Sequence, residues 1–400
     1  MSGEQRHDED PASLSLYTRG HPHTVWRWLR NHDPVTGHHT ADGTPYWSVV
    51  RYADAVKVLT DETTFTPEHG NMLQSIHGDI GRGSAINLCG GERHSVLRRI
   101  ASPLMSAGVA ASRAALVRPR VAAVLDSTLD GTVDFAVATR TLPMVVVGDL
   151  IGVPEKLWAE VSHWIMVSIA PADRFLSDDS SENNTARAHL ELLSLFGSLA
   201  RFRRKKPGED LVSALVGAEH GGNRLTDDEV MLNAYTFAMG AGITTPHVVN
   251  HLVWLLSERP ELLDLLSGAE DVAPFVAESL RWASPTNHVL RRAAKPVELG
   301  GRQVRAGDFV CVWTGSANRD EEVYEDPFVF APRSSARPSL SFGFGPHYCM
   351  GAHLARVGLR IFIEEFRAKV RGVTPGGPVR HLASNFINGV TSLPVHVQRR

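Results

Sequence analysis

The run Phe342–Gly351, FGFGPHYCMG, constrains this chain more than any other stretch. It holds one cysteine, Cys349, with Gly343 and Gly345 before it and Gly351 after it. Glycines so placed let the backbone turn tightly, approach a flat ring closely and aim amide N–H groups at a sulfur. The residues that follow, AHLARVGLRIFIEEF, have helical apolar spacing, so the thiol sits near a helix N-terminus whose partial positive charge favours a thiolate. Phe342 can shield the sulfur from water, and His347 can reach an acidic group on the edge of a ring. This is a setting for an iron ligand. A lone cysteine in a glycine-rich turn is more often a small buried hydrophobe, but the ten residues taken together favour the ligand.

The rest of the chain is compatible with an enzyme. Its 400 residues, 43% of them hydrophobic, are ample for a large core. Three cysteines, Cys89, Cys311 and Cys349, are too few and too scattered for a disulfide framework, which points to a reducing compartment. The N-terminus is polar, with no apolar run resembling a signal peptide or a membrane span, so a soluble, cytoplasmic protein is expected. A net charge of −3 argues for neither a nucleic acid nor a membrane partner. The basic run Arg201–Lys206 reads as a solvated helix end, and His21, His23, His38 and His39 read as surface residues because no further metal ligands converge on them in the sequence.

Along its length the chain is mostly helical with a few short strands, no repeats and no boundary that would let a part fold alone. A β-prone stretch spans Thr44–Tyr52, and Val297–Trp313 alternates in the manner of two strands joined at Gly300–Gly301. Residues 66–91 read as a long loop, and 171–186 as a polar break between helices. Thr226 and Glu229 fit a capping box that opens one long helix running to about Ser257. Its middle, MGAGITTPH from Met239 to His247, is a poor helix interior, and Pro246 cannot donate to the carbonyl of Gly242. A kink with a freed carbonyl is expected there. Further on, ESLR places Glu278 and Arg281 three apart on one helical face.

These motifs together strongly resemble the cytochrome P450 family in its soluble bacterial form, and the resemblance extends through LIGVPE (Leu150–Glu155), GEDLVSAL and ANRDEEVYEDP to the final GVTSLPV turn. It implies a mainly α fold with small β-sheets, a triangular helical prism in which haem b is buried between the long central helix and the cysteine loop. It also implies one catalytic domain, residues 1–400, with neither a fused reductase nor a membrane anchor. Cys349 would be the axial ligand to the haem iron. His94, Arg98, Arg291 and His347 stand at family positions that contact the haem propionates, and Phe342, Gly343, Gly351 and Ala241 complete the cofactor set. The acid-proline-proline lead usual before His94 is replaced by Gly90, Gly91, Glu92 and Arg93. Glu278 and Arg281 match the pair that braces the core behind the cysteine loop, and since Val329 fills one usual arginine position, Arg333 is the expected third partner.

On the central helix the match puts Gly240 and Ala241 at the two small positions, Ile243 at the acid and Thr244 at the threonine. Sliding it by one residue puts Thr244 at the acid and Thr245 at the threonine. Either way the carboxylate is missing, and a proton relay must run through Thr244, Thr245, water or the substrate itself. Substrate contacts are expected from Thr236, Met239, Gly240, Ile243 and Thr244 on the helix, from Asn287, His288 and Val289, and from Phe386 and Ile387. The loops 66–91 and 171–186 would form the entrance and its lid.

The resemblance therefore implies a haem-thiolate monooxygenase that hydroxylates or oxidises a small organic substrate, in natural-product biosynthesis, with dioxygen. The chain carries no flavin or iron–sulfur segment, so electrons would come from a separate ferredoxin and ferredoxin reductase, docked on basic residues around the cysteine face. Two other readings stay open. With Ile243 at the acid position the same fold could couple radicals, desaturate, nitrate or use peroxide. Alternatively it could serve as a non-catalytic haem sensor or carrier-protein-binding module.

Overall fold

Apolar residues three and four apart fold here into helices that each bury one stripe. The computed structural model describes residues 9–169, 182–266, 268–332 and 338–400. Helix α1 (His23–His32) buries Val25, Trp26 and Leu29, and α2 (Gly91–Ala101) buries His94, Leu97 and Ala101. Helix α3 (Trp158–Ile169) packs on α4 (Asp227–Gly242), and α5 (Thr245–Glu258) follows directly. Helix α6 (Val272–Ala283) packs on α7 (Ala352–Lys369), the helix behind the cysteine loop. Nearly every residue of α5 from Pro246 to Ser257 is buried, as for a helix that passes through a core.

The expected single helix from Thr226 to Ser257 is two helices. Its start is as read: the Thr226 side chain accepts from the Glu229 N–H and the Glu229 carboxylate accepts from the Thr226 N–H. The break falls at Ile243 and Thr244. Pro246 has no N–H for the Gly242 carbonyl, the Thr244 hydroxyl donates to the Gly240 carbonyl at 3.1 Å, and the N–H groups of His247 and Val248 both turn to the Thr244 carbonyl. With the Gly242 carbonyl left without its N–H and the His247 N–H drawn one residue short, to Thr244, the ladder is interrupted and not merely bent. Gly242 also lets α4 approach α3, since a Cβ there would lie 2.7 Å from Ile165 Cδ1 and 2.9 Å from its Cγ2.

Five strands form the main sheet: β1 (Val35–His39), β2 (Pro45–Val49), β3 (Phe65–Thr66), β4 (Val289–Ala293) and β5 (Phe309–Val312), in the order β1-β2-β5-β4-β3. Strand β5 runs parallel to β2, with Val310 opposite Trp47, and antiparallel to β4, with Val310 opposite Arg291. The segment 297–313 is three strands and not two. Val297–Leu299 and Arg302–Val304 make the hairpin expected at Gly300–Gly301, whose φ values of +54° and +75° suit glycine. A further turn at Gly307 then sends β5 into the main sheet. A second sheet joins Val370–Pro375, Pro394–Arg399 and Gly131–Asp134.

The fold is thus mainly α with small β-sheets, and Cys89 and Cys311 are buried free thiols. The basic run is less solvated than its composition suggests: Arg203 pairs with Asp210, and Arg204 with Asp227 and the Leu225 carbonyl. Residues 171–181 of the expected lid lie outside the described residues, as does Arg333.

Candidate active site

Two short 3-10 turns, Leu340–Phe342 and Gly345–His347, shape the cysteine loop. Gly343 after the first turn and Gly345 opening the second both take φ of +70°, and a Cβ on Gly345 would lie 2.5 Å from the Leu59 carbonyl oxygen. No other residue type fits that approach. The Cys349 N–H donates to the Phe342 carbonyl at 2.9 Å, and α7 begins three residues later. Burial pushes the Cys349 thiol up, while the N–H groups of Gly351 and Ala352 and the charges of Arg98 and Arg356 act to hold it down. Arg356 lies 4.6 Å over the Phe342 ring and donates to the Tyr348 hydroxyl at 2.9 Å.

The thiol faces a cavity of about 340 Å³. Cys349, Phe342, Gly343, His347 and Gly351 form one side, together with Leu354 of α7. Across the helix break, Thr236, Gly240, Ala241, Ile243, Thr244 and Thr245 supply another. Val289, Phe386, His94, Arg98 and Arg291 also reach it. Nothing fills the space beside Gly240, where a Cβ would meet no atom within 4 Å.

Four expected substrate contacts do not line this cavity. Met239 turns toward α3, where the Ser168 hydroxyl approaches its sulfur at 3.7 Å. His288 is fully buried: its Nε2 accepts from the Leu73 N–H at 3.1 Å and its Nδ1 donates to the Asn385 carbonyl at 3.1 Å. Asn287 donates its N–H to the Phe386 carbonyl and accepts at its own carbonyl from Gly315. Ile387 is buried in a β-bridge with Thr286. These residues hold the cavity's frame, joining the 71–75 loop to the C-terminal turn. Gln74 and Asn385 pair by their side chains, and Asn385 also donates to the Ala12 carbonyl at 2.9 Å.

Basic groups gather at one edge. The rings of His94 and His347 stack with centroids 3.9 Å apart. Burial, then the nearby arginines, lowers His94 to about 4; burial, then Arg291, His94 and Arg98, lowers His347 to about 3. Arg98 donates to the Tyr348 carbonyl at 2.9 Å. Arg291 is 6% exposed, donates to its neighbour's carbonyl and has no ion pair among the described residues. The His347 Nε2 is buried without a hydrogen-bond partner. Glu62, not singled out from the sequence, comes within 3.6 Å of it. Glu62, His94 and His347 bring ligand atoms within 4.8 Å of one another, yet two arginine charges beside them repel a cation. A buried guanidinium and an unpaired imidazole nitrogen instead suit the carboxylates of a large anionic cofactor.

Behind the loop, Arg281 pairs with Glu278 through two bonds of 2.6 and 2.8 Å, both residues being buried. The remaining guanidinium donors go to the main-chain carbonyls of Asn318, Pro327 and Val329. Position 329 therefore contributes its backbone and not a cation. Asn318, also missed, ties this pair to the cysteine loop: its Oδ1 accepts from the Leu340 N–H at 2.7 Å and its Nδ2 donates to Ser284 and Ser341. Arg319 is buried beside it, 4.3 Å over the Trp282 ring, and burial lowers it to about 9. The polar Asn318-Arg319-Asp320 run that closes the short buried helix Thr314–Ala317 was the available signal. His21 is exposed, as read, and His23 half-buried, but the His21 ring lies 4.9 Å from His23 and 5.9 Å from both His251 and His381.

Residues 272–374, covering the ion pair and the cysteine loop, match the family model for cytochrome P450. Methyl-branched lipid omega-hydroxylase of Mycobacterium bovis is 31% identical over 363 residues, which span 88% of this chain and 84% of that one. The chain belongs to the cytochrome P450 family. Cytochrome P450 NovI of Streptomyces niveus is 29% identical over 97% of this P450 and 96% of its own length. The crystal structure of P450 OxyD, which is involved in the biosynthesis of vancomycin-type antibiotics, superposes with a TM-score of 0.87 at 31% identity, over 98% of this chain and 100% of that one. The protein is accordingly an oxidoreductase of the P450 monooxygenase type that works with haem iron, dioxygen, a substrate and a redox partner. Among the described residues no helix is long and apolar enough to cross a membrane.

Proposed function

We propose that this P450 is a haem-thiolate monooxygenase that oxidises a small, largely apolar organic molecule in natural-product biosynthesis, with electrons from a separate ferredoxin and ferredoxin reductase. The observation that carries it is Cys349, fixed by its N–H to Phe342 and set between two amide N–H groups at the floor of the cavity. Haem b, bound there, supplies dioxygen activation at an iron that Cys349 ligates. Arg98, Arg291, His94 and His347 would hold its propionates, and Phe342 shields the sulfur. Thr236, Gly240, Ile243, Val289 and Phe386 shape the space for the substrate. Thr244 and Thr245 are the hydroxyls at the helix break available to hold and pass a proton. The kinship with NovI and OxyD supports a place in secondary metabolism. Exposed Arg99 on α2 and Arg356 and Arg360 on α7, of which Arg356 acts on the thiol, suit an acidic ferredoxin.

The decisive test is the carbon-monoxide spectrum of the reduced protein. Wild type should give the long-wavelength band of thiolate ligation, and Cys349→Ser should lose both the band and turnover. A Cys349→Ser protein that keeps either removes the proposal. Slower reduction of Arg356→Glu by ferredoxin is expected from the same reading.

A second reading has an observation of its own: among the described residues no carboxylate lines the cavity, and Ile243 stands there at the position matched to the acid. Atypical oxidation such as coupling, desaturation or nitration then competes with oxygen insertion. Product formed under labelled dioxygen without label would favour it.

A further inference from the structure

The polar groups that line the cavity are mostly committed elsewhere. The hydroxyls of Thr236, Thr244 and Thr314 donate to the main-chain carbonyls of Leu232, Gly240 and Thr286 at 2.8, 3.1 and 2.7 Å. Besides the hydroxyls of Thr245 and Thr286, two carboxamides remain, those of Asn71 and Asn87. Neither side chain makes a hydrogen bond among the described residues, and the Asn87 Oδ1 is buried without a partner.

Asn71 is held by its own main chain and Asn87 by that of its neighbours, so the idle side chains do not belong to a slack loop. The Asn71 carbonyl accepts from the Leu290 N–H at 2.9 Å, and Gly70 beside it turns at φ +119°. On the other flank of the loop, the Ile86 N–H donates to the Oδ1 of Asn233 at 2.9 Å. Asn233 is fully buried on α4, and its Nδ2 donates to the carbonyls of Ser84 and Glu229 at 3.0 and 2.8 Å. The backbone just before Asn87, at Ser84 and Ile86, is thus bolted to the helix that faces the cysteine. A buried amide oxygen left without a donor is a cost to the fold that leucine at this position would avoid.

We infer that Asn87, with Asn71, is the polar anchor for the substrate, and that the substrate presents an uncharged amide to it. A carboxamide offers the donor that Asn87 Oδ1 lacks and the acceptor that an asparagine Nδ2 can use. A carboxylate cannot donate to Oδ1. The basic side chains of the lining among the described residues, the guanidiniums of Arg98 and Arg291 and the imidazoles of His94 and His347, are those already given to the cofactor. Among the described residues an ammonium would find no carboxylate in the lining. The inference rests on the monooxygenase reading and narrows its substrate class to apolar molecules with a neutral amide end.

Three probes on one apolar scaffold separate the possibilities: 4-phenylbutanamide, 4-phenylbutanoate and N,N-dimethyl-4-phenylbutanamide. Each is titrated into the haem-loaded protein and the spin-state shift followed. The primary amide should bind about tenfold more tightly than either of the others. Asn87→Leu should abolish that preference, and Asn71→Ala should reduce it, with the carbon-monoxide band unchanged in both. Equal binding of the three probes, preference for the carboxylate, no shift with the amide up to its solubility, or a preference that survives in Asn87→Leu overturns the inference. If Asn87→Leu does not fold, the wild-type ranking and Asn71→Ala decide it. Loss of the carbon-monoxide band in wild type is a different failure, that of the monooxygenase reading itself.

Discussion

Thr244 spends its one hydroxyl proton on the Gly240 carbonyl, which leaves oxygen lone pairs free to accept from a water in the cavity. In this state the residue organises water, and it must release the carbonyl before it can donate. Thr244→Ala should therefore lower product formed per reductant consumed by about tenfold or more, with the difference appearing as peroxide. Thr244→Ser should restore most of the coupling, and Thr245→Ala should change it less. Simultaneous assay of reductant, peroxide and product tests this; unchanged coupling in Thr244→Ala would rule out a role for that hydroxyl. Cys349 was legible in the sequence because everything that aims it, from Phe342 to Ala352, is local. His288 was not, because its partners Leu73 and Asn385 are 215 and 97 residues away. Sequence spacing placed it near the cavity and could not say that both ring nitrogens are taken.

The paired helices α4 and α5 give a contrast between two glycines. Gly242 meets Ile165, so Gly242→Ala must push α3 and α4 apart or twist the isoleucine, at about 1–3 kcal/mol, partly offset by a helix-propensity gain of about 1 kcal/mol. Gly240 faces open cavity, so Gly240→Ala keeps or slightly raises stability and narrows the space for ligand. Thermal midpoints should fall for the first and hold for the second, while ligand spin shifts should weaken for the second. Equal midpoints would mean that the α3–α4 approach is not tight. The capping box and the weak centre of this segment could be read from residue types. That it breaks, and is not simply kinked, depends on a threonine hydroxyl and the redirected N–H of His247, which apolar periodicity does not register. The hairpin at Gly300–Gly301 was readable for the same local reason as the cap, but the further strand at 309–312 was not, since its partners are β2 and β4.

Over the whole molecule, buried histidines set the response to acid. His251 and His288, 3% and 0% exposed, are each lowered by burial from the usual 6.5 to about 4. His247 is lowered to about 3, again by burial first, with His251 and Arg140 adding to it. The charges facing His251, from His381 and Arg319, also oppose its protonation. The unfolded chain therefore binds protons that the native state refuses. This contribution to stability is complete above about pH 6.5 and is lost as pH falls toward 4, at about 2 kcal/mol per such group by pH 5. Urea midpoints measured from pH 8 to pH 5 should decline steeply below 6.5, and His251→Gln should flatten the decline. A midpoint independent of pH over that range would contradict the neutral burial of these rings.

The ties between the 71–75 loop, His288 and Asn385 mean that the cavity's two flanking segments are, mechanically, one part. Recombination between this enzyme and a relative is consequently constrained: a crossover that imports residues 71–88 from another parent without its 384–388 turn severs the shared joint. Productive chimeras should inherit the two segments from the same parent although they lie some three hundred positions apart.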